Sequence, residues 1–240
     1  MPDLWILAAL VIAVVIGATV QGTVGLGLGL VAAPVTSLIA PSLVPGVLLW
    51  LAAAYPVLTL AREWRDVDWP GLAWALPARL AGTAGGVYVV VVASQQVLGM
   101  TVSVMVLLGV ALTARAVEVP VTPGSLIGAG LISGVSGTAT SIGGPPFALL
   151  YQRRAGAQVR ATMAAYFLVG AVLSLAGLAL AGEADSEDAV VALVLLPCLV
   201  VGFAISGPLR RHVDAGRTRN AVLVVCSASA IALLVRSLFG

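Results

Sequence analysis

The sequence predicts an all-α polytopic membrane protein made of two inverted repeats, each a broken or re-entrant glycine-rich hairpin plus three transmembrane helices. Three observations carry this. The 240 residues are 60% hydrophobic and only 9% charged, where soluble domains carry about 25% charged residues. The charges are clustered, so long apolar blocks lie between them. A glycine-rich segment that ends in proline also occurs twice, at corresponding places.

The blocks follow from the gaps between charges. Residues 4–40 and 43–61 come first, followed by the loop Arg62-Glu63-Trp64-Arg65-Asp66-Val67-Asp68-Trp69, whose tryptophans suit a membrane interface. Blocks 70–92 and 98–114 are joined by the polar turn Ala93-Ser94-Gln95-Gln96. Blocks 125–150, 161–181, 189–209 and 221–235 complete the series. A helix needs about 20 apolar residues to span a bilayer, and a mean hydropathy of +1.12 agrees with such a chain. The start, Met1-Pro2-Asp3-Leu4, has no basic n-region and no small-residue cleavage site, which argues against a cleaved signal peptide. Cys198 and Cys226 lie in apolar stretches and read as packing residues, without disulfide or metal spacing. No metal, cofactor or nucleic acid is expected.

Loop charges orient the blocks. Arg153, Arg154 and Arg160 mark one loop as cytoplasmic, and Arg210, Arg211, Arg217 and Arg219 mark another. Glu183, Asp185, Glu187 and Asp188 fall between them, as an outside loop would. Arg62 and Arg65 place their loop in the cytoplasm as well, more weakly because acids accompany them. Simple crossings would put the loops at Arg62 and Arg153 on opposite faces. The conflict disappears if block 125–150 enters and leaves on one side, breaking within the stretch from Ser133 to Leu150, which holds Gly134, Gly137, Gly143, Gly144, Pro145 and Pro146. An arm from Ser125 to Ser133 would be about 14 Å long and reach roughly the midplane.

The first half carries the same pattern. Gln21-Gly22-Thr23-Val24-Gly25-Leu26-Gly27-Leu28-Gly29 precedes Pro34, and aligning Pro34 with Pro146 pairs Gly22 with Gly134 and Gly25 with Gly137. Pro77 and Gly82 have the spacing of Pro197 and Gly202. The expected organisation is a first membrane repeat at 1–115, a linker at 116–123 and a second repeat at 124–240. Charge gives the halves opposite orientation. Inverted repeats with glycine-interrupted segments in matching positions mark a secondary transporter whose site lies near the midplane.

Broken backbone within a bilayer is tolerated where it is buried in protein or lines a cavity. Such a break frees N–H groups, and the next helix offers its positive end. The candidate substrate-binding set is therefore Gln21, Gly22, Thr23 and Gly25 from the first segment. Gly134, Ser136, Gly137, Thr138, Thr140, Ser141, Gly143 and Gly144 come from the second. The competing reading is that the glycines serve close helix packing. Arg79 joins the set because a charge within a span is costly, about 2.5–3.5 kcal/mol on insertion scales, and usually faces a cavity or partner. Alternatively, Arg79 snorkels to water beside Trp69 and Trp74.

The chain resembles the TauE/SafE family of bacterial sulfite and organic-anion exporters over essentially its whole length. The paired segments Gly22 to Pro34 and Gly134 to Pro146 carry the resemblance, together with Gln152-Arg153-Arg154-Ala155-Gly156 and Arg160-Ala161-Thr162. One departure is Gly25-Leu26-Gly27-Leu28-Gly29, where the family usually has contiguous glycines. The resemblance implies outward transport of sulfite, a short sulfonate or a carboxylate across a bacterial plasma membrane. The implied partners are that small inorganic or organic anion and the lipid bilayer, and a homodimer is compatible with the chain.

Two rival classes follow from the same residues. A passive anion channel would use the same helix ends and Arg79. Gly134-Val135-Ser136-Gly137 also matches the GxSG string of intramembrane serine proteases, but that chemistry needs a base beside the serine. The only histidine, His212, lies in the basic loop after Arg210-Arg211. No enzymatic activity is therefore expected.

Overall fold

The computed structural model describes residues 3–115, 119–151, 153–212, 231, 234 and 235. All regular structure among them is helical. The first block splits into α1 (Leu4–Val24) and α2 (Leu28–Ile39). α3 (Gly46–Glu63), α4 (Trp69–Val92) and α5 (Gln95–Arg115) follow. The fifth block splits into α6 (Pro123–Thr140) and α7 (Gly144–Tyr151). α8 (Gly156–Leu180) and α9 (Ser186–His212) come next. The eighth block and Cys226 lie outside the described residues, apart from 231, 234 and 235.

Local chemistry sets the ends. Asp68 caps α4 by accepting the Gly71 N–H at 3.2 Å, and Pro70 occupies the first turn, where its missing N–H costs nothing. Thr122 and Ser125 form a reciprocal capping box before α6, with Pro123 just inside. α1 ends where Gly25 turns left-handed at φ 97°.

Five of the described helices are long and apolar enough to cross a membrane: Leu4–Val24, Gly46–Asp66, Trp69–Val92, Gly156–Leu180 and Ser186–Leu209. Their outward faces are apolar. On α9, Leu195 and Leu199 are buried, while Leu193, Val200 and Val201 are exposed. Such a surface suits lipid as solvent. Trp64, Trp69 and Trp74 are exposed near the junction of α3 and α4, as a membrane-interface belt requires.

Two hydrophobic cores fill the interior. One draws Leu10 and Val14 of α1, Val31 of α2, Leu51 of α3 and Val102 of α5 together with Leu195 of α9. The other joins Leu72 of α4 to Leu126 of α6, Phe147 of α7 and Tyr166 of α8. The main helix pairings are thus crosswise: α4 packs on α6, α1 on α9 and α3 on α8.

The second broken segment differs from the expected short arm. α6 continues through the glycine- and hydroxyl-rich stretch to Thr140, 18 residues and about 27 Å, and breaks only at Ser141-Ile142-Gly143. The residues expected to weaken it are used elsewhere. A side chain at Gly130 would overlap the Ala75 carbonyl, and one at Gly134 would overlap the Arg79 carbonyl and Gly82. These glycines therefore let α4 and α6 approach backbone to backbone. The hydroxyls of Ser136 and Thr140 donate to the carbonyls of Ile132 and Ser136, one turn back, at 2.9 and 2.7 Å.

The ends of the bundle sort by charge. Tyr151 Oη donates to Asp68 Oδ2 at 2.8 Å, and Arg160 pairs with Glu63. The loops after α3 and α7 therefore share one end. Asp188 lies against Gly46, at the opposite end of α3.

Candidate functional site

The two breaks meet. At the first, the Gly25 N–H bonds the Gln21 carbonyl at 2.8 Å and closes α1. Gln21 then bridges the gap: its side-chain oxygen accepts the Leu28 N–H at 3.0 Å, capping α2 from the helix before it. This leaves the Gln21 amide NH2 as a donor. The N–H groups of Gly29 and Leu30, in the first turn of α2, have no partner within that helix by geometry.

At the second break, Ser141 is left-handed at φ 60°, a conformation uncommon outside glycine. Two hydrogen bonds hold it. Ser141 Oγ donates to the Pro45 carbonyl at 3.0 Å, and the Ile142 N–H bonds Thr140 Oγ1 at 3.3 Å. Any side chain at Gly29 would overlap the Ser141 carbonyl, so the two broken segments touch. Between them lies a cavity of about 40 Å³. Gln21, Gly27, Gly29, Ser141, Gly144 and Phe167 are among its lining residues. That volume holds roughly three waters or one compact anion. The two helix starts are unequal: Pro145 and Pro146 follow Gly144 at the start of α7, so that helix lacks two of the N–H groups that α2 presents.

Arg79 is buried, 3% exposed, and does not reach water. Its guanidinium carbon lies 4.5 Å above the Tyr166 ring, which itself stacks on Phe147 with centroids 4.0 Å apart. Gly170 leaves the room it needs, since any side chain there would overlap Nε and Cζ. A Cβ at Gly143 would come within 3.2 Å of Nη1, and one at Gly137 within 3.1 Å of Nη2. The charge thus stands against the back of the second break, one residue from the cavity wall at Gly144. Nε and Nη1 are buried without a hydrogen-bond partner, and no carboxylate among the described residues pairs with them. The nearby Tyr166 hydroxyl and Ser133 Oγ are equally without partners. Unsatisfied buried donors of a fixed cation call for an explanation.

The remaining candidates are distributed around this centre. Gly25 turns beside Arg160. Gly22 packs against Ser206 and Tyr55, and Thr23 bonds the Val20 carbonyl at 2.8 Å. Gly134 and Ser136 belong to the α4–α6 contact and to α6 itself. Thr138 Oγ1 and Ser174 Oγ share a hydrogen bond of 2.7 Å. Gln21, Ser141 and Gly144 line the cavity, while Gly137 and Gly143 face Arg79. The sequence reading omitted Leu28–Leu30, whose backbone rather than side chains matters. It also omitted Tyr166 and Gly170, whose spacing of one helical turn on α8 gave no separate signal.

Several helices long enough to cross a bilayer, with two interrupted ones meeting inside, define a multi-pass membrane protein. The family model for the sulfite exporter TauE/SafE matches residues 9–233, and the chain belongs to that family of membrane transporters. No curated protein and no solved structure matched the chain.

Proposed function

We propose that the protein is a secondary transporter that exports a small anion (sulfite, a short sulfonate or a short carboxylate) across a bacterial plasma membrane. The substrate sits in the cavity between the two breaks. Gln21 and the first-turn N–H groups of α2 supply neutral donors. Arg79, behind the second break, supplies positive charge without trapping the ion in a bidentate grip. The observation that carries this reading is the buried guanidinium with free donors, one residue behind the wall of a small donor-lined cavity.

The reading includes two inverted repeats, and their support is geometric. Matching helices α1 with α6, α2 with α7, α3 with α8 and α4 with α9 turns the α4–α6 pairing into α9–α1 and returns α3–α8 to itself. A side chain at Gly82 would overlap the Leu131 carbonyl, and one at Gly202 the Val15 carbonyl. This correspondence pairs Val15 with Leu131 and Gly25 with Ser141. It lies one helical turn beyond the register that aligned prolines suggest. Each hairpin then enters and leaves on its own face.

The test is flux through purified protein in liposomes, with a panel of small anions. Saturable uptake, accelerated by anion trapped on the far side, is expected. A large conductance without counter-flow would establish the channel instead.

A further inference from the structure

Two aspartates stand at equivalent places in the halves. Asp68 lies nine residues before Pro77 and fourteen before Gly82, as Asp188 does before Pro197 and Gly202. Each sits at the start of its half's last described crosswise helix, α4 or α9, and each touches the other half. Asp68 Oδ2 accepts the Tyr151 hydroxyl at 2.8 Å, and the Asp68 N–H bonds Thr162 Oγ1 at 3.0 Å. Asp188 is buried, 8% exposed, and its carboxylate lies so close to Gly46 that any side chain there would overlap it. Asp188 packs on Gly46, the first residue of the 18-residue α3, whereas Asp68 follows the other end of that helix, which is about 27 Å long.

Both contacts also reach the broken hairpin α6–α7. Tyr151 is the last residue of α7. Gly46 follows Pro45, whose carbonyl takes the Ser141 hydroxyl at the turn of the hairpin. One aspartate thus bonds the last residue of the hairpin, and the other packs against Gly46, next to the residue that holds the hairpin's turn.

We propose that Asp68 and Asp188 are matched latches at the two membrane faces, and that opening one while the other holds exposes the cavity to one side at a time. This rests on reading the chain as two opposed halves around a shared cavity. The latches are unequal. The Asp68 face is reinforced by the Glu63–Arg160 pair, with Nε and Nη2 both bonded to the carboxylate at 2.6–3.2 Å beside Gly25. The Asp188 face therefore opens first.

A cysteine at Ala52, on the cavity lining, in protein with Cys198 and Cys226 replaced by alanine, reports exposure to an impermeant maleimide applied from either side of a proteoliposome. Asp68→Asn and Tyr151→Phe should each raise labelling severalfold from the Asp68 face only. Tyr151→Phe keeps the ring that packs tilted against Phe147, with centroids 5.0 Å apart, and so preserves the fold. Asp188→Asn and Asp188→Ala should raise it from the opposite face only. Equal gains from both faces, or no gain in any variant, overturn the latches. Protection by sulfite reads the anion site separately: its absence with face-specific gains intact overturns the anion reading and leaves the latches.

Discussion

Gln21 on α1 caps the start of α2 by accepting the Leu28 N–H on its side-chain oxygen, across a break that would otherwise leave that end without a partner. Its oxygen closes the backbone, and its amide NH2 remains a donor on a residue that lines the cavity. Gln21→Leu should lose both: anion flux, and about 1–2 kcal/mol of stability for a lost helix-start acceptor. Gln21→Glu keeps an acceptor for Leu28 but replaces the donor with a negative oxygen. Flux should then fall even though the cap is kept, and unfolding in detergent should show the cost of a buried carboxylate. A Gln21→Glu protein that transports normally would remove Gln21 from the site.

Arg79 invites a sharper comparison. Arg79→Gln should insert and fold, since no ion pair is broken, and should lower anion affinity at least tenfold, about 1.4 kcal/mol. Arg79→Lys keeps the charge but not the plane that lies over Tyr166, and should fall between the two. Titration calorimetry with sulfite separates them. Affinity unchanged in Arg79→Gln would make the residue structural.

Glycines give an internal control. Gly29→Ala must push on the Ser141 carbonyl and force the breaks apart, so transport should be lost. Gly128→Ala on α6 meets nothing within 4 Å and should be neutral or stabilising by up to about 1 kcal/mol. Equal flux in the two variants would show that contact between the breaks is dispensable.

Topology is checked with single cysteines at 64, 156 and 185 in a background lacking Cys198 and Cys226. Positions 64 and 156 should react from one face and 185 from the other. If 64 and 185 label together, the opposed halves are refuted. Residue 215, expected with 64 and 156, lies outside the described residues.

Much of this was legible in the sequence. Charge gaps located the helices because a bilayer penalises charge so heavily that spans have clean edges. The breaks were legible as glycine clusters, but their positions were not. A glycine at 25 ends its helix and a glycine at 134 does not, because α4 lies against the second and rewards its missing side chain. That difference is tertiary. The sequence offers the hydroxyls of Ser136 and Thr140 as donors but does not show that each donates to a carbonyl one turn back, because that bond needs the helix to continue through the glycines. Arg79 was identifiable as unusual, but its seat was not, since Tyr166 and Gly170 lie some ninety residues away along the chain.

The close approach at Gly82, Gly86, Gly130 and Gly134 has a consequence for assembly. The bare backbone on these faces of α4 and α6 is buried only by the facing helix, and Gly202 against Ala18 places α9 on α1 in the same way. Each hydrophobic core likewise combines residues from before and after residue 115. Neither sequence half can therefore cover its own glycine face. Each tight helix pair takes one partner from each half, like two hands with interlaced fingers, so the halves must meet before either can finish folding.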